Sequence, residues 1–440
     1  MKTADHSVYH DSNAPSLLRW TATLTLCLAL AALGTTSCSL TRLSEDLEET
    51  EAFGLAYGQV IPPAETDDQV LVLLYRKNAE GMQLDKVDEV GQAIDRYAFP
   101  ADSRCEYRIV AFQDLDGDLM RDAGEPAGTL GSPVTIEPNQ KLELEPLTLD
   151  PEARLPEDLP LDLRGRDLAS LESMPFVAGE VMPLDSERFS REEASAGMWQ
   201  PMTTALEYGA GVYFLEEYDP ARIPVLFVHG VGGSPSDFSY LIENLDRDRY
   251  QVWYYHYPSG ARLFTLAAVL KGLIRGLHEE LGFDTLYVTA HSMGGLVARS
   301  FILQTGGEGN QDFIKLYVSF SSPYNGHEGA AKGVEYLPVA VPCWIDMQPD
   351  SAFLLSLRQP LPGHIPFYLF FGHDSEGFNP GVDSSSDGVI SLRSQLAPFA
   401  QEEAVRTWGY DLAHVPILHD PEPFGRYVKI LDRRTEELAN

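Results

Sequence analysis

The 440-residue chain is short of basic side chains: 32 Lys and Arg stand against 66 Asp and Glu, a formal charge of −34. Such a field repels phosphate backbones and anionic head groups at long range, which excludes nucleic acid as a partner. Cysteine is scarce as well. The four in the chain do not make a disulfide framework. Cys27 and Cys38 fall in a leader, and Cys105 and Cys343 fall in different modules, so free thiols are expected rather than a bridge. A membrane-spanning run is missing too. The strongest apolar stretch, "TATLTLCLALAALG" (21–34), is shorter than the roughly twenty residues that cross a bilayer. What is present is ordinary globular material, 44% hydrophobic and 22% charged residues, over a length that predicts two domains rather than one.

Lys2 and Arg19 precede the apolar stretch, the arrangement of an export signal. The "GTTSCS" that follows resembles the lipobox of bacterial lipoproteins, which implies lipidation of Cys38, an anchor in the membrane and a place in the cell envelope. Thr35 stands where that family carries a leucine-like residue, so plain secretion is the alternative. Residues 1–38 are read as signal and lipobox. Residues 39–67, with the acidic "SEDLEETE", are read as a solvated tether.

From 68 to 150 the pattern is short and strand-like: "QVLVLLYR", "YRIVAFQD", "SPVTIEP" and "KLELEPLTL" are separated by turn residues, which predicts a small all-β sandwich. Residues 151–204 open with "DPEARLPEDLPLDLRGRD", rich in proline and charge, and read as a linker or extended strap. Residues 205–440 change character. "IPVLFVHG", "DTLYVTAHS", "IKLYVSFSS" and "IPFYLFFG" are continuous apolar runs of strands buried on both faces, and "LFTLAAVLKGLIRGLHEEL" repeats leucine at helical spacing. Strand alternating with helix predicts an α/β class with a doubly wound, mostly parallel sheet. An insertion at about 323–360 is too long for a simple connection, and its Tyr324, Tyr336, Trp344 and Met347 suit either a roof over a site or a structural excursion.

One stretch in this half carries chemistry. In "TAHSMGG" (289–295), Ser292 follows a strand and precedes a helix, with Ala290 and Gly294 two residues to either side. Small neighbours permit a sharp strand-to-helix turn, and the helix would aim its positive end at the serine. A serine needs a base, an orienting acid and oxyanion donors before it is a nucleophile.

With this elbow and a separate "VHGVGGSP" (228–235), the chain resembles the α/β-hydrolase family, and within it the bacterial lipases and esterases, over roughly 205–435. The elbow departs from Gly-x-Ser-x-Gly in having alanine first. The resemblance implies backbone N–H donors at Val231 and Met293, with His229, Gly230, His291 and Gly294 as supports. The family order of serine, acid, histidine implies His414 as base, in the loop after the last strand. His419 fits the start of the final helix instead. As acid it implies Asp387 in "SSSDGVISLRS", with Asp374 and Asp383 as alternatives. The implied activity is hydrolysis of carboxylic esters, from small molecules to lipids, with no cofactor for catalysis. Acyl transfer on the same site and a non-catalytic surface scaffold are the alternatives.

In the first module, "DLDGDLMRDAGEP" places Asp114, Asp116, Asp118, Asp122 and Glu125 at calcium-loop offsets, although Leu119 occupies the position where an EF-hand needs glycine. The loop resembles those of extracellular bacterial β-sandwich repeats. A structural calcium and a solvated acidic turn are both compatible with it.

Overall fold

A computed structural model describes residues 39–48, 52–63, 69–90, 96–138, 140–156, 158–166, 168, 171, 176–305, 312–374 and 385–439. The leader, Cys38 and Asp383 lie outside the described residues. Among those described, no helix is long and apolar enough to cross a membrane.

Acidic residues do not form a tether after position 38. Helix α1 (39–48) buries Leu43 in the core of the larger domain, and its Asp46 accepts N–H bonds from Met202 (2.9 Å) and Thr203 (2.7 Å). Buried carboxylates are tolerated where they are hydrogen-bonded at this density. Next comes β1 (Phe53–Ile61), then β2 (Gln69–Asn78), β3 (Gly81–Val90), β4 (Arg96–Asp102), β5 (Tyr107–Asp114), β6 (Ala127–Thr129), β7 (Lys141–Glu143) and β8 (Leu147–Thr148). The first module therefore starts at β1 rather than at residue 68, and "SPVTIEP" contributes only a bridge at Val134. The strands form two sheets, β4-β1-β7 with β8 also on β1, and β3-β2-β5-β6. Ala56 and Phe99 of one sheet share a buried cluster with Val72, Leu74 and Ile109 of the other. Leu71, Leu73 and Tyr75 point the opposite way along β2, as strand alternation requires. Leu159 and Leu163 share their buried cluster, so the first part of 151–204 lies against the module. Its backbone pairs with the acidic loop through Arg121 N–H to Leu161 O (3.1 Å) and Leu163 N–H to Leu119 O (2.9 Å).

The rest of 151–204 belongs to the second domain: β9 (Phe176–Val181), α2 (Arg191–Trp199) and the start of α3 (Pro201–Glu207). The domain continues with β10 (Ala210–Phe214), β11 (Ile223–Val228), α4 (Ser239–Asn244), β12 (Tyr250–His256), α5 (Leu263–Leu281), β13 (Leu286–His291), α6 (Met293–Thr305) and β14 (Ile314–Phe320). The 323–360 segment holds α7 (Glu328–Tyr336), α8 (Pro342–Met347) and α9 (Ala352–Ser356). After it come β15 (Phe367–His373), α10 (Leu392–Gln395), α11 (Pro398–Glu403), β16 (Arg406–Asp411) and α12 (Pro421–Ala439).

Eight strands form one sheet in the order β16-β15-β14-β13-β11-β12-β10-β9, parallel from β16 to β12, with β10 antiparallel to β12. α5 lays Leu263, Leu266, Leu270, Ile274 and Leu277 on one face, each side chain contributing about 1.5–3 kcal/mol on burial. Gly282, at φ 66°, ends that helix in a left-handed cap. α12 packs Tyr427, Ile430 and Leu431 on the other face. The chain leaves β11 toward β12 on one side and returns to β13 on the other. The strand order thus reverses beside the carboxyl ends of β11 and β13, where open α/β sheets leave a crevice.

Candidate active site

Ser292 sits at that reversal. Its φ of 54° is left-handed, a conformation that costs a non-glycine residue about 1–3 kcal/mol unless its surroundings hold it. They do: Ser292 N–H donates to Phe320 O (2.9 Å), and its carbonyl accepts from Gly295 N–H (3.0 Å). A Cβ on Gly294 would run into the carbonyl oxygens of Val228 and His229, and one on Gly295 into the Ser322 hydroxyl. Gly294 is fixed by close approach of backbone, and Gly295 by the Ser322 side chain.

Val228 pairs with Ala290 across β11 and β13, which brings the "HG" segment beside the serine. A Cβ on Gly230 would lie 2.9 Å from that of Ser292. Val231 lines the same cavity as Ser292, and its N–H has no partner among the described residues. Met293 opens α6, where the N–H has no intrahelical acceptor.

Asp387 and His414 meet behind the cavity. Asp387 Oδ2 lies 2.7 Å from His414 Nδ1, and its Oδ1 accepts from Val389 N–H (3.0 Å) and Ile390 N–H (2.7 Å). His414 N–H donates to Asp387 O (2.9 Å), tying the two loops a second time. The aspartate is 1% exposed and the histidine 7%. With Nδ1 engaged by the carboxylate, Nε2 is the nitrogen left for the cavity that His414 and Ser292 both line. Asp374, by contrast, bonds through its N–H to Ser386 O (2.7 Å), while Asp387 takes the histidine. His419 bonds weakly to Val415 O (3.3 Å) at the start of α12.

The two supporting histidines differ in their attachments. His291 Nε2 is 2.9 Å from His414 O, and burial holds its imidazole neutral, far below the usual range, so it donates and fixes the neighbouring backbone. His229 Nδ1 is 2.8 Å from Gly230 O, its ring stacks on Tyr257 at 4.2 Å, and burial lowers it to about 4. A third histidine has no signal in the sequence. His327 Nδ1 accepts from Ala330 N–H (3.0 Å) as the N-cap of α7, and Nε2 is 3.1 Å from Val389 O in the acid loop. Burial lowers it as well. Both ring nitrogens are satisfied only in the neutral form.

The cavity measures about 660 Å³ and is open to solvent, and Val389 and Val415 of its lining are 41% and 44% exposed. Ala194 and Met198 of α2 form one wall, and Ala330, Trp344 and Met347 of the 323–360 segment form the roof. Of the four aromatic and methionine side chains noted in that segment, Trp344 and Met347 line the cavity, Tyr324 is buried in the core, and Tyr336 is 72% exposed. Arg191 and Asp237 stand on the polar wall, and burial raises Asp237 above the ordinary carboxylate range.

In the first module, carboxylates of Asp114, Asp116 and Asp118 come within 4.8 Å of one another, near enough to share a cation. Asp122 and Glu125 do not join that group. Glu125 accepts from the N–H groups of Leu115 (2.7 Å) and Asp122 (2.8 Å), closing the loop on itself. Leu119, in place of the EF-hand glycine, adopts φ 63° and donates its N–H to Asp114 Oδ2 (2.9 Å). Cys105 and Cys343 are free.

A sequence family described as the alpha/beta hydrolase fold matches residues 223–333. Among solved structures, the chain is similar to the mature form of the Bacillus licheniformis lipase BlEst2, with 18% identity over 49% of this chain and 94% of that one and a TM-score of 0.39. It is also similar to the lin2722 gene product of Listeria innocua, with 18% identity over 48% and 94% and a TM-score of 0.37. No curated protein matches. The larger domain has the α/β-hydrolase fold.

Proposed function

We propose that the chain is a serine hydrolase of carboxylic esters. Ser292 Oγ attacks the carbonyl carbon while His414 Nε2 takes its proton, Asp387 holds the imidazole by Nδ1, and the N–H groups of Val231 and Met293 receive the oxyanion. His414 then returns the proton to the leaving alcohol, and water repeats the sequence on the acyl-serine to release the acid. The observation that carries this reading is the buried Asp387–His414 pair behind a cavity also lined by a serine held at positive φ. A largely apolar wall suits the acyl part of an ester. The first module is read as a β-sandwich, and Cys38 as a lipid attachment point at the cell envelope.

A fluorophosphonate probe is expected to label Ser292 in the folded protein. Ser292→Ala is expected to abolish labelling and to lower ester turnover by about a thousandfold or more. Turnover retained in that variant would overturn the assignment.

A further inference from the structure

The segment that roofs the cavity is bound to the body at both ends. Where it begins, Ser394 Oγ donates to Gly326 O, Asn325 N–H donates to Ser394 O (3.2 Å), and His327 joins α7 to the acid loop. At its far end the tie is ionic, between a buried carboxylate and a half-exposed guanidinium. Asp346 of α8, 2% exposed, accepts from Arg262 Nε (3.0 and 3.1 Å), Arg262 Nη2 (2.7 Å) and Leu263 N–H (2.7 Å). The roof thereby caps the first turn of α5, a helix of the body. Gly260 links both walls: its carbonyl accepts from Cys343 N–H (2.9 Å) and its N–H donates to Gly197 O of α2 (2.9 Å). Trp344 meets Trp199 edge-on at 5.8 Å, and Val341, Cys343 and Met347 are buried in the same core as α5 and α6.

Swinging α8 outward would part Asp346 from Arg262, uncap α5 and expose core side chains together. Entry requires none of this, because the cavity is already open to solvent, with Val389 and Val415 of its lining exposed. We infer that the roof is a fixed wall, and that the site takes esters one molecule at a time from solution rather than being switched on at a lipid surface. This rests on the proposed ester hydrolysis. A cavity of 660 Å³ is of the size that encloses a single small ligand.

The experiment follows tributyrin hydrolysis across its solubility limit, together with hydrogen exchange of residues 327–347 with and without tributyrin emulsion. The expected rate saturates in the dissolved range and changes by less than about twofold at the limit, with roof amides equally protected in both conditions. A severalfold step at the limit, or loss of roof protection on adding emulsion, overturns the inference. Arg262→Gln, a change at a half-exposed side chain, is expected to speed exchange in 342–347, and unaltered exchange there counts against Asp346 as the anchor. Absence of all ester turnover with an unlabelled Ser292 would instead overturn the proposed function, and the exchange measurement would still judge the roof.

Discussion

At the scale of single residues, three histidines that brace the site are held neutral. Burial lowers His229 to about 4 and holds His291 and His327 below the usual imidazole range. In the unfolded chain each would titrate near 6.5. Between roughly pH 4 and 6.5 the unfolded state therefore binds more protons than the folded one, so stability is present above that window and is lost as pH falls through it. For His229 alone the loss is about 3 kcal/mol. A melting temperature that declines steeply with acid below about pH 6.5 is expected. A flat profile down to pH 4 would show that these imidazoles are not held neutral. At the elbow, Ser292, Gly294 and Gly295 were legible in the sequence because close contact, with backbone at Gly294 and with Ser322 at Gly295, leaves so little choice of residue there. His327 was not, since its two partners, Ala330 N–H and Val389 O, are backbone groups, one of them 62 positions away.

At the scale of elements, legibility followed burial. β11, β13, β14 and β15 lie inside a parallel sheet and read as unbroken apolar runs, and α5 coincides with the stretch of helical leucine spacing. β1 escaped notice because its inward positions include Ala56 and Gly58 rather than large side chains. β3, "GMQLDKVDEV", is an edge strand carrying charge on its open side, and its register shifts against β2 between Leu74 and Tyr75, which breaks the alternation. α1 was obscured by its acidic composition, although one of those acids holds it in place. Asp46→Ala removes the acceptor for two N–H groups of α3 and is expected to lower stability by about 1–2 kcal/mol, read by chemical denaturation. An unchanged midpoint would mean that α1 contributes by Leu43 alone.

At the scale of the whole molecule, the surface charge works against the fold. A formal charge of −34 repels itself across the surface, and added salt screens that repulsion with a Debye length near 10 Å at 0.1 M. The melting temperature is expected to rise between low and molar sodium chloride, while a protein held mainly by exposed ion pairs would show the opposite trend. The course of the chain matters as much as its charge. α1 is seated in the larger domain, the chain then builds the β-module, and β9 brings it back to the edge of the large sheet. The smaller module is thus an excursion whose two ends are both rooted in its neighbour. During synthesis, α1 emerges 156 positions ahead of the residue whose N–H it will hold, a wait of roughly eight to thirty seconds at ordinary ribosomal speeds. In that interval the β-module can assemble while the helix before it has no seat, so the earliest described part of this protein is among the last to find its place.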